Sequence, residues 1–273
     1  MTLLKYPRTR HIEGSRLQHG DLGDDKPIAE LKDAFLTIEE KVDGANCAVS
    51  FDMDGGLMLQ SRGHYLTGGY RERHFDLLKT WAFTHANRLR TVLGSRYVMY
   101  GEWMFAKHTV FYDQLMHYFL EFDVYDRKTR CFLSTQTRRD LLHGLPILPV
   151  PVLFQGMVNS LSQIEALIRP SIYKSANWRD ALTVAATQSG SRSDFVEKQT
   201  EDSDLAEGLY LKVEQDGIVT ERYKYVRGDF LQAIQSSEGH WQDRPILPNQ
   251  LAKTVDIFAP VLGVKGAYDE TAH

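Results

Sequence analysis

The chain has 273 residues, 42% of them hydrophobic, with 32 basic against 36 acidic side chains and a formal net charge of -4. That size holds one large domain, or one domain with a small appendage, and the acidic balance argues against a protein that coats nucleic acid non-specifically, although it leaves room for a local basic groove. No stretch approaches the roughly 20 apolar residues of a membrane span, the N-terminus has no signal-peptide pattern, and Cys47 and Cys131 make neither a metal spacing nor a disulfide framework, so the expectation is a soluble, cytoplasmic protein with free thiols.

Residues 35–42, Phe-Leu-Thr-Ile-Glu-Glu-Lys-Val, read as a strand by their β-branched content. Residues 46–52 alternate, with Cys47, Val49 and Phe51 on one face, and Asp54-Gly55-Gly56 turns the chain into a return strand at 57–60. Phe75, Leu78, Trp81, Ala82, His85 and Leu89 recur at helical spacing, which predicts a helix from about 71 to 92 with that stripe in the core. Strands come next at 97–104 and 118–125, then a helix at 135–143 capped by Ser134 or Thr135. After Pro146, Pro149 and Pro151, helical segments are expected near 160–168 and 176–186, and the polar, then acidic, residues 187–204 read as a mobile surface loop. Residues 209–214, the Asp216-Gly217 turn and residues 219–226 make a second hairpin; a helix is expected from Asp229, and the tail from about 240 is Pro-spaced and loose. Hairpins interspersed with helices argue for an α+β domain on antiparallel sheets rather than a doubly wound parallel fold.

The chemistry-bearing residues begin at Lys41-Val42-Asp43-Gly44. A lysine at a strand end before a tight glycine turn can project its amine into a pocket, although alone the four residues equally describe a surface β-turn. Further along the chain stand, in order, Ser61-Arg62-Gly63, Tyr100-Gly101-Glu102-Trp103, Phe119-Leu120-Glu121-Phe122-Asp123-Val124, Glu207-Gly208-Leu209-Tyr210-Leu211-Lys212 and Arg222-Tyr223-Lys224-Tyr225. This succession, over roughly residues 38–227, resembles motifs I, Ia, III, IIIa, IV and V of the covalent nucleotidyltransferases: DNA ligases, RNA ligases and mRNA capping enzymes. DNA ligases and capping enzymes resemble Lys-x-Asp-Gly-x-Arg at the first motif, whereas this chain has Asn46 in the last place. That substitution resembles the RNA-ligase branch, in particular its nick-sealing, RNA ligase 2-like group. The stretch 103–118, with Ala106-Lys107-His108 and Phe111-Tyr112-Asp113, is similar to an RNA-ligase pattern as well.

The resemblance implies an ATP-grasp-like α+β nucleotidyltransferase domain and an ATP-dependent RNA ligase with Lys41 as the nucleophile. Lys41 would attack the α-phosphate of ATP; a 5′-phosphate RNA end would take the AMP, and a 3′-hydroxyl would displace it, which implies repair or end-joining of nicked or broken RNA. An amine must lose its proton to attack, and neighbouring cations favour that loss. Lys212, Lys224 and a bound Mg²⁺ or Mn²⁺ are the candidate sources of such a field, which would also stabilise phosphate charge in the transition state. By resemblance Glu207 would hold the metal, Glu102 the ribose hydroxyls, Phe122 would stack on adenine, Glu40 would border the purine edge, and Asn46 and Arg62 would orient phosphate. The last motif departs from the family's Lys-x-Lys, reading Arg222-x-Lys224; an alternative register pairs Lys224 with Arg227. His85, His108 and His117 fit no ligand pattern.

Residues 1–235 are expected to be the adenylyltransferase domain, with a helical insertion at about 144–200, and 236–273 a short tail without a full oligonucleotide-binding barrel. The competing readings are a DNA ligase or a capping-type nucleotidyltransferase, or a non-catalytic nucleotide- or RNA-binding module on the same fold. No membrane is implied; an accessory protein or a homo-oligomer is left open.

Overall fold

The computed structural model describes residues 3–17, 25–230 and 246–259. The strands are β1 (Arg10–His11), β2 (Leu36–Lys41), β3 (Ala45–Phe51), β4 (Leu57–Ser61), β5 (Tyr97–Trp103), β6 (Phe119–Asp126), β7 (Cys131–Leu133), β8 (Leu148–Pro149), β9 (Val152–Gly156), β10 (Gly208–Gln215) and β11 (Ile218–Val226). The helices are α1 (Asp76–Thr84), α2 (Ala86–Leu93), α3 (Thr135–Leu142), α4 (Leu161–Glu165), α5 (Trp178–Gln188) and α6 (Ser193–Lys198). Among the described residues the strands join one sheet in the order β4-β3-β5-β6-β7-β11-β10-β2-β9, with β1 on β11 and β8 on β6. The ladders along that path are antiparallel; only the two side pairings are parallel. The α+β class, an antiparallel sheet with flanking helices, is therefore as the sequence predicts.

The strand order shapes the site. Strands β2 and β3 are separated in sequence only by Val42, Asp43 and Gly44, yet they stand far apart in the sheet order. The sheet must curl so that its two halves face each other, and Lys41 lies at the crossing. β2 is buried along both faces except at Lys41, which is why its sequence does not alternate.

Both hairpins form where the turn chemistry puts them. Asp216 and Gly217 take φ of 50° and 80°, the left-handed pair that a two-residue hairpin turn requires. Ser134 caps α3, its hydroxyl accepting from Thr137 N–H.

Elsewhere the structure corrects the sequence reading. The single helix over 71–92 is three pieces: a 3₁₀ turn at Tyr70–Phe75, then α1 and α2, broken at His85 with φ -100° and ψ 7°. The apolar stripe does face the core, since Phe75, Leu78, Trp81, Ala82, His85 and Leu89 are all buried. Residues 187–204 are not simply a surface loop: they contain α6, and Thr200 and Glu201 are buried. The 144–200 segment is not purely helical either, because its strand β9 pairs with β2, the strand that carries Lys41. Residues 246–259 pack onto the domain rather than trailing from it; the Asn249 side chain accepts from Tyr112 N–H at 2.9 Å and donates to Met104 C=O at 2.7 Å. The helix expected after Asp229, and the end of the tail, lie outside the described residues. No helix among the described residues is long and apolar enough to cross a membrane.

Candidate active site

Two glycines bring the strands close enough to form the site. A Cβ on Gly44 would meet Trp103 O at 2.8 Å and Met104 Sδ at 2.9 Å, and one on Gly208 would run into the Tyr225 carbonyl oxygen, well inside van der Waals contact. Gly208 stands opposite Lys41 in the β10–β2 register, which sets Glu207 beside the lysine. Lys41 Nζ lies 2.6 Å from Glu207 Oε1. Glu102 on β5 accepts from Gly44 N–H at 3.2 Å, and Asn46 is its partner in the β3–β5 register. Asp43 Oδ2 accepts from Thr109 N–H at 2.7 Å and Val110 N–H at 2.8 Å, while Asp43 N–H donates to Tyr112 Oη at 3.0 Å. His108 Nδ1 is 4.0 Å from Asp43 Oδ1. His108, Thr109, Val110 and Tyr112 thus surround Asp43, so His108, which fits no ligand pattern in the sequence, lies beside the motif that carries Lys41.

Glu40 is buried next to Lys41, and its carboxylate accepts from Ser171 Oγ at 2.5 Å. Burial pushes its pKa up to about 7 against the opposing pull of that hydrogen bond and of Lys174. Ser171 and Lys174 come from the 144–200 segment, a contribution that local patterns in the sequence do not signal.

The electrostatics differ from expectation. Burial disfavours the Lys41 ammonium, but Glu207, Asp43 and Glu102 outweigh it and hold its pKa above the usual lysine range. Burial pushes the Glu102 carboxyl to about 8, Lys41 opposing and Asp43 and Glu207 adding to the rise. The field at Lys41 is therefore anionic, not the cationic one anticipated from Lys212 and Lys224.

Lys212 explains part of this correction. It pairs with Thr37 in the β10–β2 register, four residues along from the Gly208–Lys41 pair, or about 13 Å at strand rise. Its fully buried ammonium lies 2.9 Å from Glu39 and 3.2 Å from Asp123 and donates to Phe122 C=O. It offers no charge to an open pocket. Arg222 stands opposite Lys212, with its guanidinium 3.8 Å over the Phe132 ring and 4.0 Å from Asp123 Oδ2, away from Lys41. The alternative cation, Arg227, is buried on Glu201 at 2.6 Å and on Asp229 at 2.7 Å, so it is a structural tie. Lys224, half-buried, does stay with the cluster and acts electrostatically on Glu207.

Phe122 sits at a bulge in β6: Gly101 pairs with Glu121 and Tyr100 with Asp123, leaving Phe122 as the extra residue. Its half-buried ring meets Tyr6 edge-on, with centroids 5.1 Å apart. Arg62 is exposed, one residue past Ser61, whose β3 partner is Cys47, next to Asn46. Lys41, Asp43, Glu102, Glu207 and Lys224 thus form one charged cluster, with Asn46 opposite Glu102 in the ladder and Glu40 preceding Lys41 on β2, whereas Lys212 and Arg222 lie deeper along the sheet.

Glu207 Oε2 is buried without a hydrogen-bond partner, an oxygen donor aimed at the lysine pocket. Among the described residues no group of three His, Cys, Asp or Glu side chains is preassembled for a metal. Such a site suits a hard divalent cation that keeps waters and shares phosphate oxygens, and not one in a closed protein cage.

The family model for RNA ligases matches residues 35–226, and the chain belongs to that RNA ligase family. No curated protein matches it. Among solved structures, a point mutant of Naegleria gruberi RNA ligase with ATP and Mn is 19% identical, over 74% of this chain and 52% of that one, with a TM-score of 0.45. An apo mutant of the same ligase is 18% identical over 83% of this chain and 62% of that one, with a TM-score of 0.47. The form with PPi is 17% identical over 83% and 61%, with a TM-score of 0.43. The chain spans 52% to 62% of the length of these proteins.

Proposed function

We propose that the chain is an ATP-dependent RNA ligase in which Lys41 carries AMP and passes it to a 5′-phosphate RNA end, for attack by a 3′-hydroxyl. The observation that carries this reading is the Lys41–Glu207 pair at 2.6 Å, closed in by Glu102 and Asp43 at the junction of the two sheet halves. In this reading residues 1–235 form the adenylyltransferase unit, and Asn46 supports a nick-sealing substrate over an all-DNA nick or a cap.

Roles follow from placement. Glu40, near half-protonation at neutral pH, suits the purine edge, where it can donate or accept. Glu102 reaches the ribose, Phe122 offers a ring to adenine, and Lys224 and Arg62 serve phosphate. Lys212 acts at one remove: its ammonium holds the Phe122 carbonyl and so fixes the bulge that presents the ring. Glu207 would hold Mg²⁺ or Mn²⁺, which supplies neutralising charge to the phosphates and to the carboxylates around Lys41. Lys41 needs that neutralisation, because Glu207 and Asp43 otherwise stabilise its ammonium.

Intact-protein mass spectrometry after incubation with ATP and Mg²⁺ tests the reading, with Lys41→Ala as control. The expected result is a gain of one AMP in the wild type and none in the variant. No adduct with ATP, GTP or NAD would remove the covalent mechanism and leave a nucleotide- or RNA-binding module; an adduct with GTP alone would point to capping.

A further inference from the structure

Residues 62–73 join β4 to α1 and read Arg-Gly-His-Tyr-Leu-Thr-Gly-Gly-Tyr-Arg-Glu-Arg. Three arginines and a histidine face a single carboxylate, in a chain whose net charge is -4. That carboxylate, Glu72, is buried and turned inward. It accepts from Thr67 N–H at 3.2 Å and Gly68 N–H at 2.8 Å, Lys79 neutralises it at 3.0 Å, and His64 Nε2 lies 3.6 Å away. The nearby Asp76 is engaged by the same Lys79 at 3.2 Å. The outward face is left cationic and aromatic: Arg62, His64 and Arg71 are exposed, the Tyr70 ring is 70% exposed, and Arg73 lies over it at 4.4 Å from the centroid.

The loop borders the lysine pocket at both ends. Arg62 follows Ser61, whose partner Cys47 adjoins Asn46. At the other end His74 C=O accepts from Trp103 Nε1–H at 2.8 Å, and Trp103 follows Glu102 on β5. A braced loop carrying guanidinium groups and a solvent-facing ring combines the two chemistries that hold a nucleic-acid strand, phosphate neutralisation and base stacking.

We propose that residues 62–73 form the docking surface for the RNA strand presented to Lys41, with Arg71 and Arg73 on phosphates and Tyr70 under a base. The inference rests on the RNA-ligase reading above. It commits the loop to the strand and not to the nucleotide.

The test compares wild type with Arg71→Gln/Arg73→Gln, Arg71→Lys/Arg73→Lys and Tyr70→Ala, using a 5′-phosphorylated RNA oligonucleotide at several salt concentrations. The glutamine variant should take AMP at Lys41 as the wild type does, bind the RNA roughly tenfold more weakly, and show a log-affinity against log-salt slope shallower by about 1.4. The lysine variant should recover the slope, and Tyr70→Ala should weaken binding with the slope kept. Unchanged RNA binding and slope in the glutamine variant would overturn the proposal. So would a raised KM for ATP with RNA binding intact, which would assign the loop to the nucleotide phosphates. Absence of an AMP adduct in the wild type would instead count against the ligase reading, and the binding comparison would still decide the loop.

Discussion

In the proposed reaction the nucleophile Lys41, set beside Glu207 and Asp43, is masked. Its resting charge is stabilised, and it becomes an amine only when those carboxylates are neutralised or drawn elsewhere. The same burial works against the fold. Glu102 titrates at about 8 in the folded chain and near 4.5 when unfolded. Between those values the folded state binds the extra proton, so this residue's contribution to stability falls as pH rises, and reaches its lowest level above pH 8. Glu102→Gln, which keeps an acceptor for Gly44 N–H, should therefore raise the unfolding midpoint at pH 8 by a few degrees, with little change at pH 4.5, and should abolish AMP transfer. Thermal unfolding at the two pH values checks it; equal effects at both would exclude the assigned titration. At this scale the motif order points to Lys41, Glu102, Glu207 and Asn46, which the structure places on neighbouring strands: Glu207 beside Lys41, and Asn46 opposite Glu102. Lys212 and Arg222 stand further along the ladder from Lys41, because a motif names a strand but not which rung lies beside the lysine.

Strand ends and turns were the legible elements, since Asp54-Gly55-Gly56 and Asp216-Gly217 act through local backbone chemistry. The hidden elements were non-local. β9 lies beyond three prolines in a stretch that reads as helical, and it becomes a strand by pairing with β2; Ser171, further along the same segment, then reaches Glu40. The break at His85 was hidden for a related reason: the imidazole is buried against Trp81, with ring centroids 5.8 Å apart, so the stripe continues through the break. Close strand approach at Gly208 gives the element-scale prediction. A methyl group there would overlap Tyr225 O, which is backbone and cannot turn aside. Gly208→Ala should cost about 3 kcal/mol in urea unfolding, and should separate Glu207 from Lys41. A loss below about 0.5 kcal/mol would mean that β10 and β11 can part at little cost there.

For the molecule as a whole, a buried histidine adds to its acid sensitivity. His117 is fully buried, and burial depresses its pKa from 6.5 to about 4, although its Nδ1 is hydrogen-bonded to the Phe119 backbone. A depressed folded pKa means that this contribution is complete above pH 6.5 and is lost as pH falls toward 4, a loss of about 3 kcal/mol at most. The raised carboxyls Glu40 and Glu102 act with the opposite sign over that range, so the informative quantity is a difference. His117→Asn should destabilise the chain at pH 7.5, and the gap to wild type should narrow by pH 4.5. Urea titrations at both values measure it; a constant gap would show that His117 does not titrate in this window.

The sheet order also constrains how the chain is made. β2 leaves the ribosome early, but its neighbours are β9 and β10, and β10 begins at Gly208. At ordinary elongation rates, roughly ten to thirty seconds separate the synthesis of Lys41 from that of the strand that places Glu207 beside it. For roughly the first two-thirds of that interval the strand Leu-Thr-Ile-Glu-Glu-Lys has neither ladder partner, and for the rest only β9 is available, while the β3–β4–β5 part of the sheet can assemble without it. The nascent chain thus passes through a stage in which one half of the cleft is folded and the lysine strand is still open to other strands, the stage at which a chaperone would matter most.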